Sequence, residues 1–136
     1  MAKATPRSKC LKAIQLLSRI SAADDNGYCE CVSCGKTGHY KEFDGGHFIP
    51  KGASSRWALE VENLAPQCKG CNGFGMKFGI AAQQYTVHMI ESYGQDFVDN
   101  MFATKSEVKK MYKSDYEEML KGFNDLIRHH KKRLGE

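Results

Sequence analysis

Two short cysteine repeats constrain this chain more than any other feature. They are Cys31-Val32-Ser33-Cys34, followed by Gly35, and Cys68-Lys69-Gly70-Cys71. A CxxC step turns the backbone back on itself and offers two thiolates to one metal ion. Two such steps complete a closed tetrahedral set, which suits structural zinc and leaves no coordination position open for catalysis. The N-terminal stretch from Met1 to Cys10 is positively charged with no apolar run behind it. No secretory signal is therefore expected, and a disulfide framework is disfavoured relative to metal binding. Cys29 lies two residues before Cys31 and competes with it as a ligand, but the regular knuckle spacing favours Cys31. Cys10 falls in a helical pattern and reads as a packing residue.

At 136 residues the chain has room for one domain, residues 1–136. No stretch approaches the roughly 18 consecutive apolar residues of a membrane helix, so a cytoplasmic protein with no membrane partner is expected. Leu11, Ile14, Leu17 and Ile20 recur at three-residue steps. With Thr5 as cap and Pro6 in the first turn, they predict a helix over about 6–21. Asp24-Asp25-Asn26-Gly27 is a turn. Residues 28–75 hold most of the cysteines and many glycines without a long periodic run, and they read as short strands and knuckles. A second helix is predicted over about 79–93, stopped by Gly94, and a short one over about 95–103. A long amphipathic helix is predicted over about 106–133, with Tyr112, Tyr116, Met119, Leu120, Phe123 and Ile127 on one face. That stripe has two candidate partners, the N-terminal helix and a second subunit.

The net charge of +4 is unevenly placed. Residues 1–20 carry five bases and no acid, residues 21–100 carry six bases against ten acids, and residues 101–136 carry nine bases against six acids. Basic ends around a mildly acidic centre fit a protein that grips phosphates at its edges, although a solvated surface has the same balance.

The 33 residues between Cys34 and Cys68 include Asp44-Gly45-Gly46-His47-Phe48-Ile49-Pro50 and Glu62-Asn63-Leu64-Ala65-Pro66-Gln67. Asn72 follows Cys71 directly. The order CxxCG, GHFIP, ENLxPQCxxCN resembles an HNH endonuclease, in which a ββα-metal site is held between zinc knuckles. Within that superfamily it is most similar to the phage NinG/Rap recombination nucleases. The similarity runs over roughly residues 8–103, through NGYCECVSCG, DGGHF, QCKGCN, Tyr85 and SYGQDFVDNM, and leaves the C-terminal helix outside. It implies an α+β fold, a small ββα-metal (HNH, His-Me finger) core stapled by a four-cysteine zinc site and flanked by terminal helices, with the core over about 28–93.

Phosphodiester hydrolysis needs a base to activate water and a cation to stabilise the developing charge. His47 is the expected base, provided a neighbour sets its tautomer. Asp44 and the amide oxygen of Asn72 are the expected ligands of a catalytic Mg²⁺ or Mn²⁺. The resemblance implies that Asn63 pins the two sides of the hairpin loop through hydrogen bonds. Gly45 and Gly46 are expected to let the hairpin turn or approach a phosphate closely. The chain departs from the pattern at three places. Gly46 precedes His47 where many HNH sites have Asp or His, the last ligand position is Asn72 in place of His, and Ala58 stands where an arginine is common. Arg56 is the nearest substitute.

Lys51, Arg56, Lys69 and Lys77 flank the expected site and suit phosphate contacts, as do His129 and His130 in the basic run RHHKKR. The terminal helices add further bases, among them Lys12, Arg19 and Lys131. His39 reads as exposed, and His88 as a helix residue without a metal role. Trp57 and Phe48 are candidates to stack on an unpaired base, with a core position favoured for Phe48. The expected activity is metal-dependent cleavage of branched or partly single-stranded DNA, of Holliday-junction or D-loop type, in the phage-infected cell. Symmetric cleavage of a junction would favour a homodimer. The rival readings are another HNH nicking, packaging or homing enzyme, and a non-catalytic zinc-ribbon DNA-binding module.

Overall fold

A computed structural model describes residues 3–136 as a mixed assembly of helices and two small sheets. Helix α1 runs over Pro6–Ala22, and the Thr5 side chain accepts the Ser8 backbone N–H as its N-cap. The turn after it is held by the Asp24 carboxylate, which accepts the backbone N–H groups of Asn26 and Tyr28. Strand β1 (Tyr28–Glu30) pairs antiparallel with β2 (Thr37–His39) and carries the chain into and out of the first knuckle. Strand β3 (Asp44–His47) pairs antiparallel with β4 (Leu64–Gln67), with Asp44 opposite Gln67 and His47 opposite Leu64.

The second knuckle opens into a π-helical turn, Cys71–Gly75, continued by α2 (Met76–Phe78). Periodicity alone assigns no helix here, because four glycines between 70 and 79 interrupt the apolar pattern. Helices α3 (Ala81–Tyr93) and α4 (Gln95–Thr104) follow, separated by Gly94.

The last helix corrects the expected boundary. Helix α5 covers Lys113–Arg133 and does not begin at residue 106. Tyr112 is its N-cap, and the Asp115 side chain accepts the Tyr112 N–H in a capping box. Upstream, the chain is anchored in a non-helical link, where the Lys109 N–H donates to Ser55 Oγ and its ammonium pairs with Glu60. Tyr112 therefore stays exposed and does not join the stripe. The rest of the stripe packs on α1, where Phe123 and Ile127 share a core with Cys10, Ile14, Leu17 and Ile20. Each such fully buried side chain stabilises by about 1.5–3 kcal/mol. Arg133 locks the pair by donating to the Ile20 and Ala23 carbonyls at the end of α1 and pairing with Asp25. The amphipathic face is thus satisfied within one chain.

A second core joins the β3–β4 loop to α3 and α4 through Phe48, Ile49, Trp57, Tyr85, Met89, Val98 and Met101. Trp57 belongs to this core and is not a surface wedge. It is buried, and its indole N–H donates to Thr104 Oγ1 at 2.9 Å. Phe48 is buried against Tyr85 as well. No helix among the described residues is long and apolar enough to cross a membrane.

Candidate metal centre and basic cleft

The two knuckles bring Cys31, Cys34, Cys68 and Cys71 together, with all four Sγ atoms within 4.8 Å of one another. Gly35, at φ +80°, makes the turn that ends the first knuckle. A tetrahedron of Zn–S bonds of about 2.3 Å has S···S edges of about 3.8 Å, and Cys34 Sγ and Cys68 Sγ stand 3.7 Å apart. Donor type, number and spacing therefore fit a metal ion such as zinc. Burial raises the Cys31 thiol, but the backbones of Cys68, Cys34 and Ser33 outweigh it and bring its pKa down to about 7. Cys10 and Cys29 are not part of the cluster. Cys10 is fully buried on α1 and its thiol donates to the Tyr116 carbonyl. Cys29 is buried in β1.

The remaining polar groups gather around β3 and β4. Asn63 is fully buried and bridges the base of the loop. Its Oδ1 accepts the Ile49 N–H at 2.8 Å, and its amide donates back to the Ile49 carbonyl at 2.9 Å. The Asn63 carbonyl accepts the Phe48 N–H. These bonds fix the path of the chain immediately after His47.

His47 Nε2 lies 2.9 Å from the Ala58 carbonyl. A carbonyl only accepts, so Nε2 carries the proton and Nδ1 carries the free lone pair. Burial lowers the His47 pKa below its ordinary value, and the charges of Lys51 and Arg7 add to the effect against the opposing Ala58 bond. The ring is thus neutral at pH 7 with a defined tautomer.

Asp44 opens β3. One carboxylate oxygen accepts from Lys69 Nζ at 2.8 Å and the other from Asn72 Nδ2 at 3.1 Å. Burial pushes its pKa up, but Lys69 and Asn72, with the charge of Arg19, hold it below the usual carboxylate value. Asp44 and Asn72 are therefore brought together, joining the strand pair to the helical turn after the second knuckle.

Gly45 and Gly46 lie in the paired strand β3 and not at a turn, and both positions are closely packed. A Cβ on Gly45 would collide with the Gln15 carbonyl and Ser18 Oγ of α1. One on Gly46 would overlap Gln67 Oε1 and meet Asn72 Oδ1 at 3.0 Å. The Gly46 position, where a ligand is common in the resembled pattern, leaves no room for a side chain here. The Tyr85 hydroxyl donates to the Gly46 carbonyl from the buried side.

His47 and Asn72 line one cleft of about 1240 Å³, between α1 on one side and β3 with the helical turn on the other. Its basic lining residues are Lys9, Lys12 and Arg19 from α1, Lys51 and Lys77 from the core, and Lys131 from α5. No Asp or Glu lines it. A second cleft, on the face of α1 bearing Ile14, Leu17 and Ser21, has Glu30 and Glu91 in its lining and no Lys or Arg. Of the basic residues expected from sequence, Lys51 and Lys77 line the basic cleft and Lys69 sits on Asp44. Arg56 is engaged elsewhere. It pairs with Glu60, stacks its guanidinium 4.1 Å from the centre of the Trp57 ring, and does not line the basic cleft. Sequence reasoning misses Lys9 as a cleft residue, and only the α1–α5 packing brings Lys131 to the same site. His39 is half-buried and caps a short turn by accepting the Lys41 N–H. His88 is a half-buried residue of α3, and His130 stacks beside His129 and accepts from Arg133.

Together, these features define a small mixed helix-and-sheet protein with a four-cysteine cluster beside a basic cleft. The chain matches the family described as bacteriophage lambda NinG protein over residues 2–133, and it belongs to that family. The match includes α5, which lies outside the resemblance visible in the motifs. No curated protein and no solved structure matches the chain.

Proposed function

We propose that this protein is a metal-dependent DNA endonuclease of the HNH type that acts on branched intermediates in phage recombination. The observation that carries the reading is the basic cleft. It holds six Lys or Arg side chains and no carboxylate around a neutral histidine with a fixed tautomer. Cations so placed suit a polyanion and supply sequence-independent, salt-sensitive affinity. No base-reading element accompanies them, which favours recognition of DNA structure over sequence. Membership of a phage family adds the recombination setting.

In this reading β3 and β4 are the two strands of a ββα-metal core, and the turn from Cys71 into α2 is its helix. His47 Nδ1 accepts a proton from the attacking water, while the Ala58 carbonyl holds the ring by its other nitrogen. Asp44 and the Asn72 amide oxygen, once that amide turns from the orientation in which it donates to Asp44, would hold one Mg²⁺ or Mn²⁺, which when bound stabilises charge on the phosphate oxygens. Lys69 is 71% exposed and long enough to swing away from Asp44 as a cation or phosphate arrives. Asn63 keeps the loop after His47 in place. The four cysteines take zinc and hold the two knuckles on either side of the strand pair.

The test compares labelled four-way junction and linear duplex, incubated with zinc-replete protein with and without Mg²⁺. Mg²⁺-dependent cuts near the branch are expected, with the linear duplex cut more slowly. DNA binding without any metal-dependent cleavage would replace this reading with that of a zinc-ribbon binding module. Equal cutting of both substrates would point to a general nicking enzyme.

A further inference from the structure

Three large apolar side chains lie exposed within seven residues of each other, directly after the second knuckle. Phe74 is 72% exposed, Phe78 74% and Ile80 67%. The two rings touch each other, with centroids 5.0 Å apart and planes tilted by 43°, and remain open to solvent. Phe74 lies in the π-helical turn and Phe78 ends α2, so both rings project from one short, glycine-rich helical segment. Clustered exposed aromatics of this kind usually mark a binding surface.

The surroundings of the rings select the occupant. Lys77 lies between the two phenylalanines in sequence and lines the basic cleft together with Asn72 and Met76. Lys69, on the preceding turn, is largely exposed. Asn72 is two residues from Phe74, so the rings stand within a turn of the proposed cation site. The patch therefore continues the basic cleft as an apolar step with lysines along it. A phenyl ring reaches a base face in an intact double helix only by unstacking a base step, which is costly. An unpaired nucleotide offers both a phosphate for the lysines and a π-face for the rings.

We infer that Phe74 and Phe78 form a stacking step for unpaired bases, positioned to receive a strand that leaves the duplex beside the cleavage site. This rests on the nucleic-acid reading of the cleft and not on its catalysis. It assigns the preference for branched DNA to a defined pair of side chains. Base–aromatic stacking of the ordinary strength makes the affinity of one stacked base worth roughly 5- to 150-fold.

The experiment measures binding, in zinc-replete buffer without Mg²⁺, of a junction carrying a short single-stranded gap and of a linear duplex. 2-Aminopurine placed at the gap reports stacking directly. The proteins are wild type, F74L/F78L, which keeps the apolar volume, and F74Y/F78Y, which keeps the rings. Zinc content and thermal melting serve as folding checks, and both rings are exposed enough to expect no change. The Leu pair is expected to bind gapped DNA about 5- to 150-fold more weakly and to lose the 2-aminopurine signal, with duplex affinity within about twofold of wild type. The Tyr pair is expected to restore both.

Equal loss on gapped and duplex DNA would overturn the inference, as would no loss on gapped DNA. So would a wild-type dimer that becomes monomeric in the Leu pair during sedimentation, because the patch would then cover a second copy of this chain. A wild type that stacks the probe yet cuts no DNA in Mg²⁺ would defeat the nuclease reading and leave this one standing. A wild type that binds no DNA would defeat both.

Discussion

The cysteine cluster and the basic cleft are built on opposite principles. The cluster is assembled from two pairs, each spanning four consecutive residues, and its donor set is complete. Its four sulfurs already lie within 4.8 Å of one another, close to the spacing that one ion requires. The cleft draws on α1, β3, α2 with the turn before it, and α5, and the groups in it and beside it are already partnered by the protein. Asp44 is held by Lys69 and Asn72, and His47 by the Ala58 carbonyl. The first arrangement suits a permanent ion that carries the fold. The second suits an exchangeable ion and a substrate that displace weak internal partners. The comparison predicts that losing the cluster damages structure, whereas losing a cleft group damages binding or rate.

The largest effect is expected at the cluster. Structural zinc contributes about 10–16 kcal/mol of binding free energy in small zinc domains. Stripping the metal with a chelator, or the substitution Cys68→Ala, should lower Tm by more than about 10 °C. Metal analysis should find about one zinc per chain in the wild type. A chelated protein that melts unchanged would break the contrast at its stronger end.

Next comes Asn63, which lies buried beneath the loop after His47 and acts as a clamp. Asn63→Ala leaves the Ile49 N–H and carbonyl without their buried partners. It should cost about 2–4 kcal/mol in urea unfolding. A cost near zero would show that the loop after His47 holds its path without the clamp.

A smaller effect is expected from pH. The folded pKa of His47 lies below its unfolded value of about 6.5. The ring therefore stays neutral, and its share of stability is fully present above about pH 6.5. That share is lost as pH falls from there through the folded value. Cleavage rate should decline along the same acid limb, since the protonated ring is no base. A cleavage rate that does not decline on the acid side anywhere the protein stays folded, or one that rises as pH falls, would exclude His47 as the base.

The smallest concerns Lys69. Asp44 has a depressed pKa, so its stabilising contribution is present above about pH 3.9 and is lost as pH falls through the folded value. Lys69→Ala should shrink that contribution by less than about 1 kcal/mol, because the lysine is largely exposed. The same change should tighten Mn²⁺ binding measured by titration, since the competing ammonium is gone. Weaker Mn²⁺ binding would instead make Lys69 a supporting group.

How far these sites can be read from sequence follows the same division. The cluster is visible because each half of it is local, and α1 because its three-residue apolar step carries both a cap and a first-turn proline. The start of α5 is not, because Val108, Met111 and Tyr112 prolong the apolar pattern while Asp115 caps the helix at Tyr112. The helical segment after Cys71 is hidden by its glycines, although the ββα core that the resemblance implies includes a helix. The group that fixes the His47 tautomer is a backbone carbonyl, to which the identity of residue 58 is no guide. Lys12, Arg19 and Lys131 are visible in the basic ends and Lys51 and Lys77 beside the motifs, but only the packing of α5 on α1 places Lys131 in one lining with Lys51 and Lys77. Arg56 and Trp57 mislead because an arginine beside a tryptophan looks the same in sequence whether the pair faces DNA or a neighbouring helix.

One measurement bears most directly on the claim that the two sites have separate work. Zinc-replete wild type, His47→Ala and Asp44→Asn are incubated with labelled junction DNA while Mg²⁺ is raised from zero. The account predicts Mg²⁺-dependent cleavage by the wild type and a loss of roughly 10²- to 10⁴-fold in His47→Ala. Zinc content should be unchanged in both variants, with Tm lowered by less than in the cysteine variant, and the Mg²⁺ requirement should rise in Asp44→Asn. Wild-type rates from His47→Ala, or cleavage that follows zinc content and ignores Mg²⁺, would contradict it.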